Sequence, residues 1–104
     1  MAKLLIIDDE RAIRSTLREI LEYEKYEVDE ASDGEEGLQK ISKGNYDLVL
    51  CDVKMPKMDG VELLEKAMEA GHGAQFVMIS AHGTIETAVE ATKKGAYDFI
   101  PKPP

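Results

Sequence analysis

Three aspartates stand where two short apolar runs of the chain end. Residues 4–7 lead directly into Asp8 and Asp9, and residues 48–51 lead into Asp52. Short apolar runs that end in an acidic residue are typical of buried parallel strands whose carboxyl ends carry chemistry. If the two strands are neighbours, three carboxylates meet in one small volume. Their mutual repulsion then calls for a hard cation, and Mg²⁺ is the usual choice.

Two further polar side chains follow later apolar runs. Ser80 comes after residues 76–79, and Lys102 comes shortly after residues 97–100. Carboxylates, a hydroxyl and an ammonium at one edge of a sheet suit a phosphoryl group. The carboxylates hold a cation, the cation and the ammonium neutralise phosphoryl oxygens, and the hydroxyl hydrogen-bonds one of them. An aspartate can also be the nucleophile and become an acyl phosphate.

The elements that must position these groups alternate between two hydrophobic periods. The predicted strands cover residues 3–7, 26–31, 48–51, 76–79 and 97–100. The predicted helices cover residues 11–24, 34–43, 61–70 and 84–94. Five strands separated by four helices predict an α/β fold, a doubly wound parallel sheet with helices on both faces. No helix follows the last strand, although such a sheet needs one to cover that edge.

Composition excludes several classes of function. The 104 residues suit one domain. A net charge of −8 argues against binding to nucleic acid or to an anionic membrane surface, since both depend on clustered cations. The single cysteine, Cys51, excludes an internal disulfide and is interpreted as a small buried hydrophobe in a reducing compartment. We find neither a signal peptide nor a membrane-spanning run, so we expect a cytoplasmic protein.

Four motifs in the right order make the chain resemble the receiver domain of two-component response regulators over nearly its whole length. They are DDE at 8–10, CDVKMPKMDG at 51–60, MISAHG at 78–83 and KGAYDFIPKP at 94–103. The stretch 79–100 is most similar to receivers of the NtrC type, which precede a σ54-activating ATPase and a DNA-binding domain. The resemblance implies a flavodoxin-like sheet of strand order 2-1-3-4-5. It also implies one receiver domain, residues 1–104, truncated before its last helix.

The resemblance also implies a role for each residue that would meet the phosphoryl group. Asp52 would be the phosphoacceptor. Ser80 would bind the phosphoryl group, and Lys102 would pair with the Asp52 carboxylate or with its phosphate. Phe99 would be the aromatic switch that turns inward when Ser80 moves. The peptide bond between Lys102 and Pro103 is expected to be cis, which is an accessible state for a bond that precedes proline.

Mg²⁺ is the cofactor that the resemblance implies. Asp9 and Asp52 would ligate it through their carboxylates, and the backbone carbonyl of Lys54 would supply another oxygen. Asp8 would act mainly through water. The expected function is therefore a signalling domain rather than an enzyme. It would accept a phosphoryl group from a sensor histidine kinase and change a partner-binding surface that controls transcription through an effector domain outside this chain.

Two other functions stay open. The first is an inactive receiver-like module that serves only dimerisation, which the absence of the last helix favours. The second is a Mg²⁺-dependent phosphatase with an aspartyl nucleophile. That class places its nucleophile and its acid–base aspartate two residues apart on one strand, but Asp52 is followed by Val53 and Lys54. We also hypothesise a homodimer that covers the apolar strip beside the last strand.

Two residues depart from the family pattern. Lys57 stands where many receivers have glycine, and it either places a cation near the site or points to solvent. Pro101 stands where an acidic residue is frequent, and it cannot donate a hydrogen bond to a neighbouring strand. His72 and His82 show no metal-ligand spacing, so we interpret both as surface residues.

Overall fold

Strands and helices alternate along the chain in this computed structural model, which describes residues 2–81 and 84–102. The strands are β1 (Lys3–Ile7), β2 (Glu27–Ala31), β3 (Leu48–Asp52), β4 (Gln75–Ser80) and β5 (Asp98–Pro101). The helices are α1 (Arg11–Tyr23), α2 (Gly34–Lys43), α3 (Gly60–Glu69) and α4 (Ile85–Lys93). Each predicted strand and helix is present, and its ends differ from the prediction by one residue at most.

The five strands form one parallel sheet in the order β2-β1-β3-β4-β5. This order confirms the expected doubly wound, flavodoxin-like fold. In the register of the sheet, Ile7 pairs with Cys51, Asp52 pairs with Ile79, and Ser80 pairs with Pro101. The carboxyl ends of β1, β3, β4 and β5 therefore lie side by side at one edge, where open α/β sheets bind their ligands.

The core lies on both faces of the central strands. Leu5 and Ile6 on β1 are fully buried although their side chains alternate in direction, as expected for a strand covered by helices on both sides. Phe76 is the largest fully buried side chain. Cys51 is also fully buried, which confirms its interpretation as a hydrophobe, and burial raises the pKa of its thiol. None of the helices in the described segments is long and apolar enough to cross a bilayer.

Side-chain caps define where three of the helices begin. Asp33 accepts from the backbone N–H of Glu36 at the start of α2. Asp59 accepts from a backbone N–H in the first turn of α3, and Thr84 accepts from one in the first turn of α4. A cap of this kind contributes about 1 kcal/mol because it satisfies a backbone donor that the helix leaves unpaired. The cap of α3 also ends the loop that follows Asp52.

The strand β5 forms one edge of the sheet and carries Pro101 as its last residue. An edge strand tolerates proline because only one of its sides is paired. A groove of about 310 Å³ runs between β5 and α1, with Ile20 and Ile100 exposed along it. This groove is the apolar strip that the sequence predicted beside the last strand.

Two lysines have a left-handed backbone, with φ 73° at Lys25 and φ 70° at Lys57. We expect Lys25→Gly and Lys57→Gly to leave the free energy of unfolding unchanged or to raise it by up to about 1 kcal/mol. Glycine relieves the crowding of Cβ in this conformation, although it also makes the unfolded chain more flexible. Urea unfolding measures the difference. Lys66→Gly, inside α3 with an ordinary helical backbone, is the control and should lose about 1 kcal/mol. Equal losses in the three variants would contradict the prediction.

Candidate functional site

The ends of four strands bring the predicted polar residues together. Asp8 directly follows β1, Asp52 ends β3, Ser80 ends β4, and Lys102 directly follows β5. Asp8, Asp52 and Ser80 are 0%, 3% and 4% exposed. Buried polar groups are expensive unless they are paired, so their concentration at one edge of the sheet marks this edge as a functional site.

The ammonium of Lys102 lies at the centre of the carboxylates. Its Nζ is 3.0 Å from Asp8 Oδ2, 3.3 Å from Asp52 Oδ2 and 3.2 Å from Glu10 Oε1. Burial by itself would lower the pKa of Lys102, but the three carboxylates outweigh it and the pKa is raised. Lys102 is therefore a permanent cation in this cluster. Glu10 was not expected to join these ion pairs, although its place in the DDE motif was a signal.

Asp8 has different partners for its two carboxylate oxygens. Oδ1 accepts a hydrogen bond of 2.9 Å from the backbone N–H of Glu10, which ties the side chain to the turn before α1. Oδ2 is buried, and within the described ranges its partner is Lys102 Nζ at 3.0 Å. A buried carboxylate oxygen with a single ionic partner retains the capacity to bind a further cationic or hydrogen-bonding group.

The environment of Asp52 makes it a weaker acid than an ordinary aspartate. Burial raises its pKa, the charge of Asp8 raises it further, and Lys102 lowers it, with a net pKa of about 6. The carboxylate is thus ionised at neutral pH and can act as a nucleophile there. It becomes protonated, and loses that capacity, as the pH falls through about 6.

The same pKa predicts how Asp52 affects stability without metal. The folded pKa of about 6 is above the ordinary 3.8, so ionised Asp52 destabilises the fold above pH 6, and this effect fades towards pH 4. In a chelator at pH 7.5, Asp52→Asn should raise the free energy of unfolding by about 1 to 3 kcal/mol. The gain should vanish near pH 4. Urea unfolding at several pH values measures it, with the exposed Glu19→Gln as control, and an equal gain at pH 4 would contradict the prediction.

The oxygen donors at the site fit a hard divalent cation. Carboxylate oxygens of Asp8, Asp9 and Glu10 lie within 4.8 Å of one another, and Asp8 Oδ2 is a buried oxygen whose partner in the described chain is the ammonium of Lys102. Mg²⁺ prefers such oxygen ligands. The adjoining cavity of about 260 Å³ is lined by Asp9, Glu10, Asp52, Lys54, Ser80, Ala81 and Lys102. Every residue predicted to touch Mg²⁺ or the phosphoryl group therefore either lines this cavity or, as Asp8 does, contacts a residue that lines it.

The remaining predicted residues lie elsewhere. Phe99 is partly buried and packs against the core from β5. Lys57 is exposed and does not line the cavity, so it points to solvent rather than placing a cation near the site. His72 lines a separate cavity of about 170 Å³ with loop residues that precede β3 and β4, at the opposite end of the sheet. The Lys102–Pro103 peptide bond and His82 lie outside the described residues.

Comparison with known proteins gives a consistent family. The response regulator receiver domain family matches residues 4–104. Transcriptional regulatory protein ResD of Bacillus subtilis is 40% identical over 101 residues, which cover 97% of this chain and 42% of ResD. Response regulator MprA of Mycolicibacterium vanbaalenii is 35% identical over 101 residues, which cover 97% of this chain and 44% of MprA. The chain thus spans less than half the length of these relatives, and they do not support the predicted NtrC-type subfamily.

Solved structures agree on the fold. A CheY-like response regulator receiver domain protein from Methanospirillum hungatei aligns with a TM-score of 0.94 and 39% identity, covering 100% of this chain and 83% of the other. The response regulator TrrA from Thermotoga maritima, solved in complex with Mg²⁺-BeF, aligns with a TM-score of 0.89 and 34% identity. That alignment covers 99% of this chain and 88% of TrrA.

Proposed function

Because the chain belongs to the receiver domains of two-component response regulators, we propose that Asp52 accepts the phosphoryl group from a sensor histidine kinase. One observation carries the assignment. Asp52 is a buried carboxylate at the end of a central strand. It lines the cavity, and its carboxylate lies 3.3 Å from the ammonium of Lys102. A receiver domain is a signalling domain and not a classical enzyme. Its proposed catalysis is therefore limited to its own phosphorylation and dephosphorylation.

The residues at the cavity suit each part of a phosphoryl transfer. An oxygen of Asp52 forms a bond to phosphorus while the bond from phosphorus to the donor breaks, and the donor departs with that electron pair. The product is an acyl phosphate. Lys102 neutralises charge on the phosphoryl oxygens, and the Ser80 hydroxyl is the hydrogen-bond donor for one of them. Lys102 Nζ already lies 3.3 Å from Asp52 Oδ2, so Lys102 needs little reorganisation when the charge arrives.

The cation site lies beside this nucleophile. Asp9, Asp52 and the backbone carbonyl of Lys54 would hold Mg²⁺, with Asp8 acting through water. When bound, the ion supplies positive charge that offsets the phosphoryl oxygens. Support comes from the fit of the oxygen donors described above and from TrrA, a similar receiver solved with Mg²⁺-BeF. Glu10 belongs to the same cluster and is available to a water molecule of the ion.

The proposed output is a change of surface on α4 and β5. Phosphorylation adds charge at a packed strand end, and Ser80 moves towards it. Phe99, which is partly buried on β5, then turns further inward. Such a shift changes the surface that an effector domain or another partner meets. The effector would control transcription, and the acidic receiver itself, with a net charge of −8, would not contact nucleic acid.

Dimerisation is also part of the proposal. The groove between α1 and β5 exposes Ile20 and Ile100, which are 56% and 41% exposed. A second copy that covers this apolar strip would remove it from water. Sedimentation over a wide range of concentration tests the idea, and a monomeric mass at every concentration would contradict it.

The function is tested by incubating the wild-type chain with acetyl phosphate and Mg²⁺ and measuring the intact mass. We expect the mass to rise by one phosphoryl group, and to stay unchanged when a chelator removes Mg²⁺. Absence of any uptake with Mg²⁺ would favour the inactive dimerisation module instead. Sustained turnover of a phosphate ester, with no phosphorylated chain detected, would favour the phosphatase.

A further inference from the structure

A guanidinium on α1 reaches back to the turn that carries the acidic residues. Arg14 donates from Nη1 to the backbone carbonyl oxygen of Asp8 at 2.8 Å. That carbonyl belongs to the peptide group that joins Asp8 to Asp9. The orientation of this peptide group sets the direction in which the Asp9 side chain leaves the backbone, so a donor fixed on the carbonyl also constrains the Asp9 carboxylate.

Arg14 is itself held from the far side. Its Nε donates to Glu30 Oε1 at 3.0 Å, and the other Glu30 oxygen accepts from Arg18 Nη1 at 2.7 Å. Hydrogen bonds from Arg18 and then from Arg14 hold the pKa of Glu30 below its usual range, so Glu30 stays ionised. The Arg14 side chain is only 15% exposed. The guanidinium thus bridges a carboxylate on β2 and a carbonyl at the end of β1, as its rigid fork of donors allows.

Other contacts restrain Asp8 at the same point. Its backbone N–H donates to the carbonyl of Ala31 at 3.2 Å, and its Oδ1 accepts from the N–H of Glu10. The contact from Arg14 adds restraint at the carbonyl, on the peptide group shared with Asp9. This restraint bears on the proposed metal ligands without any contact between Arg14 and the cavity, because Arg14 is not among the residues that line it.

We propose that Arg14 is a positioning residue for the Mg²⁺ site, acting through the peptide group that joins Asp8 to Asp9. This role rests on the proposed function, since it supposes that Asp8 and Asp9 serve a bound cation. Residues that orient metal ligands commonly change metal affinity about 10- to 100-fold when they are replaced. Arg14 would therefore tune how much Mg²⁺ the domain needs before it can be phosphorylated.

Because Arg14 is charged, the direction in which its replacement changes Mg²⁺ affinity distinguishes positioning from electrostatics. A guanidinium near a cation site repels Mg²⁺, so electrostatics alone predicts that its removal tightens Mg²⁺ binding. Positioning predicts the reverse, because a loose peptide group no longer holds the ligands in place. Arg18→Met is the matched control. It removes a guanidinium from the same Glu30 without touching Asp8, and so reports the effects of the lost charge and of the lost contact to Glu30.

The experiment measures Mg²⁺ affinity of the wild type, Arg14→Met and Arg18→Met by NMR titration, together with phosphorylation by acetyl phosphate at limiting and saturating Mg²⁺. We expect Arg14→Met to bind Mg²⁺ about tenfold more weakly. Its phosphorylation rate should fall at limiting Mg²⁺ and recover at saturating Mg²⁺. Arg18→Met should bind Mg²⁺ as well as the wild type or slightly better. Arg14→Lys, which keeps one donor group but not the fork, should lie between the wild type and Arg14→Met.

Several results would overturn the role of Arg14. Unchanged or tighter Mg²⁺ binding by Arg14→Met would leave only an electrostatic effect, and equal weakening in Arg14→Met and Arg18→Met would indicate a general loosening of α1. Circular dichroism checks folding, and if Arg14→Met does not fold, wild-type Mg²⁺ affinity in Arg14→Lys overturns the role and weaker affinity supports it. A wild-type chain that neither binds Mg²⁺ nor takes up a phosphoryl group overturns the proposed function as well, which distinguishes the two failures.

Discussion

Asp52→Asn is expected to abolish Mg²⁺-dependent phosphorylation by acetyl phosphate. An amide has nearly the shape of the carboxylate, but it lacks the anionic oxygen that would form the acyl phosphate. The variant should remain folded, because in the absence of metal the ionised Asp52 destabilises the domain at neutral pH. Intact mass after incubation with acetyl phosphate and Mg²⁺ gives the result directly, as the presence or absence of one added phosphoryl group.

The control for this loss lies at the other end of the same strand. Asp47 directly precedes β3, is exposed, and accepts from the backbone N–H of Lys3 at 2.8 Å. Asp47→Asn keeps an acceptor oxygen there and should be phosphorylated as fast as the wild type. Phosphorylation of Asp52→Asn at an undiminished rate would place the acceptor on a different residue.

Gly60→Ala is expected to have the largest effect on stability. A Cβ built on Gly60 would lie 2.1 Å from the backbone oxygen of Asp52 and 2.9 Å from the terminal methyl of Met78. The Met78 side chain can turn away, but the Asp52 backbone cannot move without shifting β3. The N–H of Gly60 also donates to the carbonyl of Val53 at 2.8 Å, which holds the start of α3 at this close approach. We expect a loss of about 3 kcal/mol in the free energy of unfolding.

The same substitution should reduce phosphorylation of the molecules that remain folded, because the displaced atom belongs to Asp52, the proposed phosphoacceptor. Urea unfolding measures the first effect, and the rate of phosphorylation at saturating Mg²⁺ measures the second. Gly73→Ala is the matched control, since a Cβ there meets nothing within 4 Å and the backbone is not left-handed. It should be neutral or slightly stabilising. Equal stability of the two variants would show that α3 does not approach Asp52 this closely.

The strand ends could be predicted because local patterns define them. The apolar run before Asp8 is buried on both faces, and the run before Asp52 is buried on one face and partly buried on the other, so composition points to central parallel strands. The structure adds caps at Asp33 and Asp59, which fix the starts of α2 and α3 and which the hydrophobic periods alone did not identify. With strands and helices in alternation, few topologies remain, and all of them gather the carboxyl ends at one edge.

The pairing of Lys102 with Asp52 was expected from the family resemblance, but its pairing with Glu10 could not be predicted in the same way. Lys102 and Glu10 are 92 residues apart, and their contact depends on the register of β5 and on the side-chain conformation of Glu10. The hydrogen bond from Arg14 to the carbonyl of Asp8 likewise depends on one side-chain rotamer on α1. No periodicity in the sequence reports such choices, although the acidic triplet at 8–10 marked the region.

The subfamily prediction lacked support for a physical reason. It rested on residues 79–100, and much of that stretch is α4, where only Ala91 is buried. Packing constrains few side chains on such a helix, so similarity there is a weak guide to the rest of the protein. The motifs at the strand ends are constrained both by packing and by the proposed phosphoryl site. They predicted the family correctly.

The most direct test of the central claim is to locate the phosphoryl group after reaction with acetyl phosphate and Mg²⁺. Borohydride reduces an acyl phosphate at its carbonyl carbon, and mass spectrometry of the peptides then identifies the modified position. We expect reduction at Asp52 and at no other residue. A phosphoryl group found on Asp9, on His72 or on any other side chain, with Asp52 unmodified, would contradict it.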